Sequence, residues 1–366
     1  MNQMLRECLD DLEARIDPRE EDRLLQEWID FTAGRFDGDM FSPQRRPSSP
    51  GVEWPQVSVN AALEDYERMA LQQYGLCSLA LAMGSGTLLC ARCNYGTSII
   101  PLLFGVAPFV MSEELDTLPT SRPLNDVDTI KRIVDEGVPD IYQGYGNQVF
   151  AMAEHYLAIA EEYPKIGQYV HIYHPDLQGP MDICEITWGS TIFYSLYDQP
   201  DLVKALLEIA TETYITFMRA WTAIVPFRQD SNVHWGLLHQ GNIMLRDDSA
   251  MNLSPEMFDA FIRPYDQRLL DEFGGGAIHF CGKGDHYISR MSEMEGLHAI
   301  NMSQPEYNRM ETVYANTVDK GIKIIGLARA AAEEATSRGR DLHGRVHVMG
   351  PQDNLRADAE TVRRAA

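Results

Sequence analysis

The sequence predicts an α/β protein, a closed (β/α)8 barrel with an N-terminal helical extension, and three observations lead there. Apolar runs of strand length alternate with amphipathic helical stretches from about residue 76 onward, and such alternation implies a parallel sheet. No Gly-x-Gly-x-x-Gly follows any of these runs, so the commonest mark of an open dinucleotide-binding sheet is missing. A chain of 366 residues also sits within the range of single barrels, roughly 200 to over 400 residues.

Taken in order, residues 1–35 are helical. Leu5, Cys8, Leu9 and Leu12, then Leu24, Leu25 and Trp28, recur at helical spacing with acidic residues between them. Residues 36–55 are rich in Pro, Ser, Arg and Gly and form a loop long enough to cover one end of a barrel. The division expected is therefore an extension and covering loop over residues 1–75 and a barrel over 76–366. Strands are expected at residues 88–93, 169–173, 233–238, 277–280, 297–300, 322–325 and 345–348. Helices are expected between them, notably at 201–219 and 254–272. The second opens with Ser254 as N-cap, Pro255 in the first helical position and Glu256 against the positive helix end. The triple Gly274, Gly275, Gly276 lets the backbone turn tightly into the strand that follows.

Composition narrows the partners. Thirty-one basic against 54 acidic residues give a formal charge of −23. That balance excludes nucleic acid and anionic membranes as natural targets, since both need a basic surface. It disfavours a polyanionic substrate too, unless a local basic pocket overrides the global field. The six cysteines, Cys8, Cys77, Cys90, Cys93, Cys184 and Cys281, form no dense framework, and the first residues lack a basic-then-apolar leader pattern. Reduced thiols in a cytoplasm are the expectation. Cys90 and Cys93 have CxxC spacing but no second pair, and read as buried strand thiols.

In a barrel the working residues stand where strands end. Four such places carry polar side chains: His174 to Gln178, His239 with Gln240, His279 with Cys281, and Gln304 with Glu306. The third is the most specific. Side chains two apart on a strand share a face, so His279 and Cys281 project together, and imidazole and thiolate are both good ligands for Zn²⁺. Glu306 follows the next strand, and neighbouring strands lie about 5 Å apart. The plain alternative is a small buried thiol beside a hydrogen-bonded core histidine. His174, Gln178, Asp182, Gln240 and Gln304 are candidate substrate contacts, and His239 and His279 candidate catalytic groups. Arg246, Asp247 and Asp248 read as a surface turn with an ion pair.

Residues 275–282, the helical run from Ser254 to Tyr265 and the Gly179-Pro180 turn resemble the uroporphyrinogen decarboxylase superfamily over roughly residues 55–360. The His-x-Cys-Gly segment resembles its methylcobamide:coenzyme M methyltransferase branch. Cobalamin-independent methionine synthases have a similar zinc arrangement: His-x-Cys, a Glu at the next strand, then a distant Cys. The resemblance implies a barrel fold and zinc held by His279, Cys281 and Glu306. It also implies methyl transfer to a zinc-bound thiolate, with a corrinoid on a partner protein or a small methylated molecule as donor, and a homodimer. The sequence departs from the pattern at the distant Cys: no cysteine follows Cys281, and the corresponding stretch runs His347, Val348, Met349, Gly350, Pro351, Gln352. His347 or His239 then supplies a fourth ligand, or no fourth protein ligand exists. The alternative function is a metal-free decarboxylase or lyase acting on a small organic acid, with His279 and His239 as acid–base groups.

Overall fold

The computed structural model describes residues 1–228 and 230–350. Helices Gln3–Arg15 and Pro18–Thr32 fill the N-terminal segment, capped by the side chains of Asn2 and Asp17. Leu5, Leu9 and Leu12 enter the main core, whereas Leu24, Trp28 and Phe31 join a second apolar cluster beneath the sheet. The expected division at residue 75 falls inside one helix, Tyr66–Met83. Residues 36–55 are largely irregular, as their composition predicts.

Eleven short strands are present among the described residues: β1 (Cys90–Ala91), β2 (Ala107–Phe109), β3 (Thr120–Arg122), β4 (His171–Ile172), β5 (Ser231–His234), β6 (Leu237–Gln240), β7 (Ile243–Arg246), β8 (Gly276–Phe280), β9 (Leu297–Met302), β10 (Lys323–Leu327) and β11 (Val346–Val348). A five-stranded parallel sheet runs β11-β10-β9-β8-β7. β1 and β4 form a separate parallel pair, while β2–β3 and β5–β6 are antiparallel ribbons. The fold is thus α/β with a parallel sheet. The described strands do not form the continuous eight-stranded ring that the alternation suggests.

Both sheet edges show why pairing stops. At β11, a single residue takes the place of a strand: Phe41 N donates to Val346 O at 2.9 Å and Val348 N to Phe41 O at 3.0 Å. At β7, the amide of Met244 donates to the His174 imidazole at 3.1 Å rather than to a neighbouring carbonyl. The chain beside it contains Pro175, which has no N–H to give.

Residues 233–238 are not one barrel strand but the body of a hairpin. His234 pairs with Leu237, leaving Trp235 and Gly236 as a two-residue turn with φ of +51° and +77°. The parallel strand that follows is β7, a run of four residues that the sequence alone does not separate from the loop before it. Val233, Leu237 and Leu238 of the hairpin pack on Met244, Ala277, Ala299 and Ile325, one residue from each of β7 to β10. Small side chains on this face make the room. A Cβ on Gly326 would lie 3.0 Å from Leu237 Cδ1.

Register then fixes what stands above the hairpin. Met244, Ala277 and Ala299 are paired across β7, β8 and β9, and two residues further along Arg246, His279 and Asn301 are paired in the same way. The period of two keeps both rows on one face. The first row is filled by the hairpin; the second lines a cavity of about 490 Å³.

Candidate metal centre

Three potential donors converge at the C-terminal ends of β7 and β8. The ligand atoms of Asp248, His279 and Cys281 all lie within 4.8 Å of one another. His279 Nε2 is 3.3 Å from Cys281 Sγ and 3.7 Å from Asp248 Oδ1. A tetrahedral Zn²⁺ with bonds of roughly 2.0–2.3 Å would space its donors roughly 3.3–3.6 Å apart. The His279–Cys281 distance falls in that range and the His279–Asp248 distance just above it, so the donor set is compatible with such an ion.

The supports around them point the same way. His279 Nδ1 is 2.6 Å from Asn301 Oδ1, and the orientation of that amide is set because Asn301 Nδ2 donates to Ile325 O at 2.6 Å. The imidazole must therefore donate from Nδ1, which leaves the Nε2 lone pair facing sulfur and carboxylate. Asp248 Oδ1 accepts from Cys281 N at 2.8 Å, tying the end of β8 to the turn after β7. That turn is itself held from below: Asp182 accepts from Asp248 N at 2.8 Å and from Ser249 N at 2.7 Å. Burial, with Asp247 and Asp248 nearby, pushes the Asp182 carboxyl well above the usual range. Burial likewise pushes the Cys281 thiol up to about 11, and it donates toward Ser303 Oγ at 3.5 Å. Burial also lowers the imidazole of His279, favouring its neutral, ligating form.

Beyond these donors the cavity turns cationic. Arg92 and Arg246 converge on Asp176, all three buried, and together they carry one positive charge. Arg246 also donates to Leu177 O at 3.0 Å, and its guanidinium lies 4.6 Å over the Trp235 ring. The same indole meets His279 edge-on, with ring centroids 5.2 Å apart. Gln178 lines the cavity with a buried Oε1 that has no hydrogen-bond partner among the described residues. In a protein of net charge −23, this end of the cavity thus holds one excess positive charge, while Asp248 balances it at the other end.

The structure places the remaining sequence candidates elsewhere. Glu306 lies exposed on the short 3-10 turn Pro305–Tyr307 and is not part of the donor cluster; Asp248 stands there instead. His239 is buried on β6 beneath the cavity, donating from Nδ1 to Gln240 O at 3.0 Å and accepting at Nε2 from His234 at 3.0 Å. Gln240 ends that ribbon away from the cavity. His174 caps the β7 edge, donating from Nδ1 to Pro175 O at 2.7 Å. Gln304 accepts from Gly282 N at 2.6 Å and so fastens the loop after Cys281. His347 is buried against Trp28, accepting from Gly326 N at 3.0 Å, which removes it as a fourth donor in this arrangement. Pro351 and Gln352 lie outside the described residues.

Sequence reasoning misses Arg92, Trp235, Arg246, Asp248 and Asn301, and reaches Asp176 only as part of the run from His174 to Gln178. The reading of Arg246, Asp247 and Asp248 as a surface turn is corrected: Arg246 and Asp247 are 3% and 1% exposed. One signal was available. Ile243, Met244 and Leu245 form a short apolar run directly before them. Counted as a strand, it would have put Arg246 to Asp248 at a strand end.

No protein-family model matches the chain, and no curated protein matches it by sequence. Its fold is similar to the solved structure of a methyltransferase from Methanosarcina mazei, with a TM-score of 0.60 over 94% of this chain and 99% of that one. Sequence identity is 15%, so the likeness concerns the fold.

Proposed function

We propose that this chain is a metal-dependent methyltransferase that places a methyl group on the sulfur of a small acidic thiol. The carrying observation is the convergence of Asp248, His279 and Cys281, whose ligand atoms lie within 4.8 Å of one another and could hold one ion beside the cavity. A bound Zn²⁺ would keep the substrate thiol deprotonated at neutral pH and aim it at the methyl donor.

The chain's own residues account for the rest. Asn301 holds the His279 tautomer that ligates, and Asp182 holds the backbone of Asp248. Arg92 and Arg246 receive the acidic end of the thiol, and Gln178 Oε1 accepts an N–H or O–H from it. Sulfur then attacks the methyl carbon, and the bond from carbon to the donor breaks with its electron pair left on the donor. The thiol proton would pass to bulk water on binding, before this step. The resemblance of the His-x-Cys-Gly segment to methylcobamide:coenzyme M methyltransferases supports a methylated corrinoid, carried on a partner chain, as donor. The similar fold of a protein named as a methyltransferase supports the reaction class. The metal-free alternative needs His239 at the cavity, and that histidine is enclosed below it.

The test pairs metal with activity. Protein purified without chelator should hold about one zinc per chain and demethylate free methylcobalamin in the presence of a mercaptocarboxylate. Cys281→Ser and Asp248→Ala should each lose metal and activity together, by about 10²-fold or more in rate. Full metal retention in both variants, or no thiol-dependent demethylation by zinc-loaded wild type, would overturn the proposal.

A further inference from the structure

The hairpin turn at Trp235 breaks its own local rule. A two-residue turn with both φ positive is the geometry that Asn-Gly or Asp-Gly adopts readily, because those residues tolerate the left-handed region. Here the first position holds a tryptophan at φ +51°, a bulky residue where strain is greatest. Where local propensity is violated, the reason is sought in what the side chain does.

Trp235 has a definite task within reach. Its ring faces the cavity between two functional groups: the Arg246 guanidinium lies on its face at 4.6 Å and His279 against its edge at 5.2 Å. It thus stands between the charged end of the pocket and the donor cluster. The ring is also mounted on a rigid base. Val233, Leu237 and Leu238 of the same hairpin are each 3% exposed or less and packed on four strands of the sheet, so the turn has little freedom to yield.

We propose that Trp235 is a specificity-determining residue that sets the length of the thiol spanning the metal donors and the two arginines. This rests on the methyl-transfer reading given above. A thiol with too few methylenes reaches only one end, and one with too many must fold against the indole. In a close-fitting pocket one methylene changes binding by about tenfold or more.

The experiment uses full-length protein loaded with Co²⁺ in place of zinc and a ladder of mercaptocarboxylates, HS–(CH₂)n–CO₂⁻, with n from about 1 to 5. Binding is read from the sulfur-to-cobalt charge-transfer absorption, which needs no methyl donor. Wild type should favour one length by about tenfold over lengths two methylenes away. Trp235→Asn suits the turn, so it should keep its cobalt and its Tm to within a few degrees while the ladder flattens to within about threefold. Trp235→Phe should restore part of the selectivity. An Asn variant with the wild-type ladder would overturn the assignment, and so would one that unfolds, because the ring would then be there for stability. No charge-transfer band with any thiol in cobalt-loaded wild type would overturn the methyl-transfer reading itself, and this inference with it.

Discussion

His279 shows how much of an imidazole's behaviour is decided by what stands behind it. Its Nε2 presents a lone pair to Cys281 and Asp248 because Asn301 accepts from Nδ1, and Asn301 is oriented by donating to Ile325 O. Asn301→Leu removes that support at little cost in volume. It should weaken zinc binding by about 10–100-fold, measured by competition with a chromophoric chelator; unchanged affinity would show that the tautomer is set elsewhere. His174 makes the opposite case. Burial lowers it to about 3, and both ring nitrogens are engaged, with Pro175 O and Met244 N. The unfolded chain takes up a proton near pH 6.5 that the folded imidazole refuses, so this group costs stability as pH falls from about 6.5 toward 3. Nitrogen NMR of the ring should show a neutral, Nδ1-protonated His174 at pH 5, and a midpoint near 6.5 would contradict the placement. Of the two histidines, only His279 is distinguishable in the sequence, because strand alternation pairs it with Cys281. Nothing local tells His174 or His239 apart from a catalytic group: a bond to the next residue's carbonyl leaves no mark in the pattern, and the second partner of His174, Met244 N, is 70 residues away. Glu306 misleads for a related reason. After β9 the chain bends into the turn Pro305–Tyr307 and carries the carboxylate outward.

The hairpin β5–β6 is the element on which the site stands. Its turn is Trp-Gly, which carries no Asn-Gly or Asp-Gly signal, and apolar residues stand on both sides of it, Val233 before and Leu237 and Leu238 after. A single strand is the natural reading of such a run, and β7 is then overlooked. That one error hides Arg246 and Asp248 as well. The strands β8 to β11, by contrast, are legible from their apolar runs, and Ser254 caps its helix as expected, accepting from Met257 N at 3.3 Å. The expected helix over 254–272 is divided at Ile262 into Pro255–Phe261 and Arg263–Phe273. Gly326 links the hairpin to Asn301, the residue behind His279. At φ +72°, a Cβ there would stand 2.6 Å from Asn301 Nδ2 and 3.0 Å from Leu237 Cδ1. Gly326→Ala should therefore destabilise the protein by about 1–3 kcal/mol in urea unfolding and weaken metal binding as Asn301 shifts. A variant as stable as wild type would show that the hairpin is packed less tightly than these distances state.

At the scale of the whole molecule, the alternation of strand and helix correctly implies a parallel sheet. It does not determine how the sheet ends, because pairing at the margins is decided by single contacts such as Phe41 on β11 and His174 on β7. Overall charge is silent on such local arrangement: −23 is the sum over the whole chain, within which Arg92 and Arg246 sit buried with Asp176. No helix among the described residues is long and apolar enough to cross a membrane. The two buried arginines at one end and the Asp248, His279 and Cys281 cluster at the other give this cavity a chemistry different from that of the exterior.

X-ray absorption at the zinc edge, on protein purified without chelator, therefore tests the account most directly. One zinc per chain is predicted, with sulfur from Cys281 and the remaining neighbours nitrogen or oxygen from His279, Asp248 and solvent. Metal far below one equivalent, or a zinc shell lacking sulfur, would contradict it.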